Sequence, residues 1–198
     1  MHLSKPAPRK HIHTRSIECQ GYKRDDGLWD IEGRITDTKT YSFANRDRDG
    51  IQAGEPVHDM LIRVTLDDDM VVKAAEAKTA SGPYTICGDI NAAFAGIAGL
   101  RIGPGWRKAV TAVMGGAKGC THLRDLLMGP VAVTAFQTIY PMKAHEKNES
   151  ATESGVPVPG KKPMLLDTCY ALRASGPVAE RRWPEFFTPE KDDDAAAN

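Results

Sequence analysis

The amino-acid sequence predicts an α+β fold, an antiparallel sheet of β-hairpins packed by two or three helices. Three observations carry this prediction. Apolar and polar residues alternate with a period of two through much of residues 10–77, the pattern of strands with two different faces. Asp26-Gly27 and Asp67-Asp68-Asp69 stand between alternating runs as turns. Beyond Pro83 the apolar spacing becomes helical, broken at Gly103-Pro104-Gly105 and at Gly115-Gly116.

The first strand starts near Lys10, where His11, His13 and Arg15 alternate with Ile12, Thr14 and Ser16. His11 and His13 then share a face, a pair that either chelates a metal or lies on the surface. A second strand spans Leu28 to Asp37, with Trp29 and Ile31 on its packed side, and a third short one covers Thr40 to Phe43. The acidic set Asp25, Asp26, Asp30, Glu32 and Asp37 lacks calcium-loop spacing; ion pairs with Lys23, Arg24 and Arg34 explain it more simply. Residues 45–56 read as a surface loop. Val57 to Leu66 is a strand with Met60, Ile62, Val64 and Leu66 on one side, and Met70 to Ala77 pairs back with it across a solvated acidic turn. Asp89 is placed to cap a helix over Ile90 to Leu100. Trp106 to Met114 forms the next helix, stopped by left-handed Gly115 and Gly116. Thr121 caps a third, which Pro130 kinks or splits and Pro141 ends.

The chain is long enough for one domain with a real core. The expected organisation is a flexible basic tail (1–9), an α+β core (10–142), a linker or flap (143–163), a returning segment docked on the core (164–187) and a disordered acidic tail (188–198). Met164 to Leu172 is expected to return as a strand. The 26 basic residues balance the 26 acidic ones, so composition argues for neither nucleic acid nor an acidic membrane as partner. No run approaches the roughly 18 apolar residues of a membrane span. The N-terminus has no signal-peptide core, so a cytoplasmic location is expected.

The chemistry concentrates in Gly115-Gly116-Ala117-Lys118-Gly119-Cys120-Thr121-His122-Leu123. Cys120 falls at or just before a helix start, where partial positive charge favours thiolate. A thiolate is both a nucleophile and a metal ligand. His122 follows at C-x-H spacing, and Cys87 repeats the arrangement, a thiol just ahead of a helix. His58 stands at the mouth of the Val57 strand. The four cysteines, Cys19, Cys87, Cys120 and Cys169, lie far apart, as ligands, reactive thiols or core residues do in a reducing compartment.

These segments resemble a bacterial family of unknown function, DUF2889. The motifs are Tyr22-Lys23-Arg24-Asp25-Asp26-Gly27-Leu28-Trp29-Asp30, Ala53-Gly54-Glu55-Pro56-Val57-His58-Asp59-Met60, Gly105-Trp106, Gly119-Cys120-Thr121-His122-Leu123 and Leu166-Asp167-Thr168-Cys169. A fainter similarity is to U-type iron–sulfur scaffold proteins. It implies a scaffold-like core in which His58-Asp59-Met60 falls near the first ligand segment, with Cys87 and Cys120 at the second and third. The first ligand cysteine is absent here, and Gly119 replaces the histidine before the last one.

Three functions follow as expectations. The first is a metal-binding accessory or metal-dependent protein with ligands among His58, Cys87, Cys120 and His122, Cys169 in reserve, holding zinc or an iron–sulfur cluster. The second is an acyl-transfer or hydrolytic enzyme with Cys120 as nucleophile and His58 or His122 as base. The third is a non-catalytic interaction module with buried cysteines. The partner is a protein or a small-molecule substrate, and the oligomeric state is open.

Overall fold

The computed structural model describes residues 3–147, 162–163 and 165–189. Backbone contacts divide the chain into two units, Met1–Ile139 and Tyr140–Asn198.

The first unit is built on the four strands β1 (His13–Lys23), β2 (Trp29–Lys39), β3 (Pro56–Leu66) and β4 (Val72–Ser81). They pair antiparallel in sequence order, so the α+β class and the hairpin sheet stand as expected. Period-two alternation explains the burial. Trp29, Ile31 and Ile35 of β2 and Met60, Ile62, Val64 and Leu66 of β3 are all buried. Gly27 closes the first hairpin at φ 83°, which glycine adopts without penalty.

The helical half follows β4. Successive 3₁₀ turns run over Thr85–Ile97, then come α1 (Trp106–Met114), α2 (Thr121–Leu126), a π-helical turn (Leu127–Val131) and α3 (Ala132–Lys147). α2 and the π turn pack on β2. Close approach of the helices to the sheet depends on two glycines, Gly33 in β2 and Gly21 in β1. A Cβ on Gly33 would lie 2.7 Å from Val131, and one on Gly21 would collide with Thr138.

Several expected boundaries move, each for a physical reason. Thr40 to Phe43 is not a strand; a single bridge joins Phe43 to the fully buried Ile51, which pins the loop with one apolar anchor. β4 begins at Val72 rather than Met70, because Met70 sits at φ 65° and completes the acidic turn. That turn is more than solvated: Asp68 accepts from the Trp29 indole N–H at 2.9 Å, and Asp67 accepts from Asp69 and Val71 backbone N–H groups. The helical turns after Pro83 start at Thr85, not Ile90, because Asp47 reaches across from the loop between β2 and β3 to accept from the Thr85 N–H at 2.9 Å. Asp89 therefore lies inside the segment, and so does Cys87, which was expected ahead of a helix.

α1 matches its expected span, although Gly115 is extended and Gly116 supplies the left-handed residue at φ 58°. Thr121 is the first helical residue of α2, so Cys120 occupies the cap position, with no side-chain cap bond. Pro130 neither ends nor splits the helix, because the widened π turn absorbs its missing N–H. Pro141 does not end it either; only one donor is lost, and α3 continues to Lys147. The first residues of the expected linker, 143–147, are thus helical, while 148–161 lie outside the described residues.

In the second unit, no strand forms over the described part of 164–172. Asp167 at φ 62° accepts from the Ala174 N–H, and the chain turns instead, with a 3₁₀ turn at Tyr170–Leu172. α4 (Pro177–Arg182) follows. Leu166, Ala179 and Trp183 form this unit's own small core. Of the two expected tails, 3–9 is exposed and without regular structure, whereas 1–2 and 190–198 lie outside the described residues.

Candidate metal centre

The antiparallel registers bring three residues onto one rung of the sheet: Arg15 of β1 faces Asp37 of β2, and Asp37 faces His58 of β3. The register puts all three on the face where β2 and β3 bury their apolar side chains. A bulge in the β2–β3 pairing directly follows Asp37, a common means of aiming side chains at a site.

Asp37 is the centre of this rung and is 1% exposed. Arg15 grips it with two hydrogen bonds, Nε to Oδ1 at 2.8 Å and Nη2 to Oδ2 at 2.7 Å. His13 Nε2 lies 3.1 Å from Oδ1, and His58 Nδ1 lies 3.0 Å from Oδ2. Burial pushes the Asp37 carboxyl up, but the hydrogen bonds and charge of Arg15, helped by His58 and His13, override it and bring it to about 2. Asp37 is therefore ionised at neutral pH and can only accept. His58 must donate from Nδ1, which leaves the lone pair on Nε2.

The first turn of α2 supplies the second imidazole. The His122 and His58 rings stack with centroids 3.9 Å apart and planes inclined by 34°. Burial lowers the affinity of both rings for a proton. The neighbouring imidazole adds to this at His58, and the Arg15 charge does so at His122. Both rings are held neutral, the state in which imidazole binds a metal. Asp37, His58 and His122 each offer one ligand atom within 4.8 Å of the others. Among the described residues no other three His, Cys, Asp or Glu side chains converge in this way.

Of the residues singled out from sequence, His58 and His122 meet here. Cys120 lies beside them, its Sγ 4.0 Å from His122 Nδ1 and 3.8 Å from Met60 Sδ, but outside the converging trio. Cys87 lies in the 3₁₀ segment with its sulfur against Gly82. Cys169 is exposed in the second unit, and all four cysteines are free. His11 precedes β1 and bonds to the His13 carbonyl and the Thr14 hydroxyl rather than pairing with the His13 ring.

Sequence reasoning missed Asp37 and Arg15. Arg34 pairs with Asp59, and Arg24 with Asp26 and Asp30, leaving Asp37 to Arg15. The available signal was phase: Trp29, Ile31, Gly33 and Ile35 put Asp37 on the buried side, and a buried carboxylate needs partners.

A family model described as "Protein of unknown function (DUF2889)" matches residues 13–137, well over half of the chain. No curated protein and no solved structure matches. No helix among the described residues is long and apolar enough to cross a membrane.

Proposed function

Because the chain belongs to the DUF2889 family, whose description assigns no activity, we propose from the site itself that it is a metal-binding protein. It holds a divalent transition metal, zinc by preference, at His58 and His122. The observation that carries this reading is the convergence of two neutral imidazoles on a buried, charged carboxylate. Nitrogen donors beside one carboxylate oxygen suit a mononuclear site, whereas clusters of iron and sulfide are built on thiolates. Asp37 acts mainly through His58: its hydrogen bond to Nδ1 fixes the tautomer and turns Nε2 toward the ion, as an outer-shell carboxylate does. Arg15 and His13 hold the carboxylate in place. A bound ion would supply Lewis acidity or a stable structural link between α2 and the sheet.

The test is metal content of protein purified without a histidine tag, followed by zinc titration of the chelated protein. About one equivalent is expected, lost in His58→Ala and in His122→Ala, weakened roughly 10–100-fold in Asp37→Asn and retained in Cys87→Ser. Failure of chelated wild type to take up zinc, cobalt or nickel would sink the proposal.

One observation supports a second reading. The 4.0 Å separation of Cys120 Sγ and His122 Nδ1 is the spacing of a nucleophile and its base before substrate closes the gap. Alkylation of Cys120 in metal-free protein separates the two. A rate that collapses in His122→Gln supports the thiol enzyme; a rate unchanged by that substitution removes it.

A further inference from the structure

We infer that the free edge of β1 is a self-association surface, through which two copies of this chain join their sheets antiparallel about a twofold axis at Ile17. This does not depend on the metal reading.

β1 is an edge strand that no strand among the described residues covers on its outer side. It pairs with β2 over eleven residues without a bulge and contains no proline. It therefore lacks two of the devices that usually protect an edge. The opposite edge is partly closed, since Val72 at the start of β4 bonds through its backbone to Gly99 and Leu100.

Backbone phase fixes what β1 offers. The Thr40 N–H donates to the Ile12 carbonyl, and the Arg24 N–H to the Leu28 carbonyl. Even-numbered residues of this strand thus spend their backbone groups on β2. Odd-numbered residues, His13, Arg15, Ile17, Cys19, Gly21 and Lys23, turn theirs outward.

Side chains then select the register. Three large apolar side chains remain exposed along this edge: Ile12 at 45%, Ile17 at 46% and Tyr22 at 45%. A twofold axis at Ile17 sets Ile17 against the partner's Ile17 and Ile12 against the partner's Tyr22, covering all three. It also sets Glu18 against the partner's Ser16 and Arg15 against the partner's Cys19, so no like charges meet within the strand. Moving the axis to Glu18 sets that carboxylate against itself. Moving it to Cys19 sets Arg15 against the partner's Lys23. Both are repulsive. The Ile17 axis matches the outward backbone groups as well, because the central pair exchanges both N–H···O bonds. One continuous eight-stranded sheet results, with the same face inward in both copies.

The experiment is light scattering after size exclusion over a wide concentration range, on the full chain. Wild type is expected to approach twice the chain mass as concentration rises. Ile17→Lys, which opposes two cations on the axis, should raise the dissociation constant roughly tenfold or more. Ile17→Cys in a Cys19→Ser background supplies a readout of register. Cα atoms of such a central pair lie about 5.5 Å apart, inside the disulfide window, so mild oxidation should give a single crosslink mapped by mass spectrometry to residue 17 in both copies. This variant still decides the matter if Ile17→Lys fails to fold. A strictly monomeric wild type, a dimer indifferent to Ile17→Lys, or absence of the 17–17 crosslink would overturn the inference.

Discussion

Two charged rungs cross this sheet, on opposite faces. Arg15, Asp37 and His58 lie on the face that the helices cover; Glu32, Arg63 and Glu76 lie on the other. The contacts are equally short: Arg63 reaches Glu32 at 2.7 Å and Glu76 at 2.6 Å, against 2.7–2.8 Å from Arg15 to Asp37. What differs is water. Arg63 and Glu76 are 47% and 70% exposed, whereas Asp37 is 1% exposed. Solvent screens the outer rung and rewards its loss with rehydration. On the inner rung the carboxylate has exchanged all its water for four side-chain contacts, so each partner is needed. Bond length alone does not rank such networks; the medium does.

That contrast can be broken experimentally. The largest effect is expected for Arg15→Met, which leaves the Asp37 carboxylate buried without its guanidinium partner; about 3 kcal/mol should be lost in denaturant unfolding. Asp37→Asn should cost less, about 2 kcal/mol, because Arg15 is 42% exposed and can hydrate when released. Equal losses in both variants would show that the site is wetter than its burial implies.

Acid titration gives a further separation. The folded Asp37 value of about 2 lies below its ordinary 3.8. The group therefore contributes stability that is present above pH 3.8 and lost as pH falls toward 2, about 2 kcal/mol in all. His58 and His122 act at higher pH. Their folded values lie below 6.5, so the unfolded chain takes up protons first, and stability declines as pH drops below about 6.5. His58→Gln should flatten the upper decline, and Arg15→Met the lower one. The smallest effect is expected on the outer rung. Arg63→Ala should change stability by less than about 1 kcal/mol, and that difference should shrink further in concentrated salt.

The strands, their turns and the class of fold were legible because they rest on local rules. A period of two, an Asp-Gly turn and a glycine break each act within a few residues, which is why the Trp106–Met114 helix and the Leu28–Asp37 and Val57–Leu66 strands lie close to where the pattern puts them. Errors arose where a distant group intervened. Asp47 moved a helix start by capping Thr85 from another loop; the π turn that carries the chain past Pro130 is instead a local departure from α-helical geometry that apolar spacing does not signal.

The site divides in the same way. The sequence by itself determined that His58 and Asp37 share the phase of their strands' buried faces, and that Cys120 and His122 open a helix. Only the tertiary structure decided that Arg15, Asp37 and His58 share a rung and that His122 stacks on His58 while Cys87 does not join them. The reason is physical. Phase along a strand is set by neighbouring residues, but register between strands and the seating of a helix on a sheet are set by long-range packing, here through Gly21 and Gly33, which no short window of sequence contains.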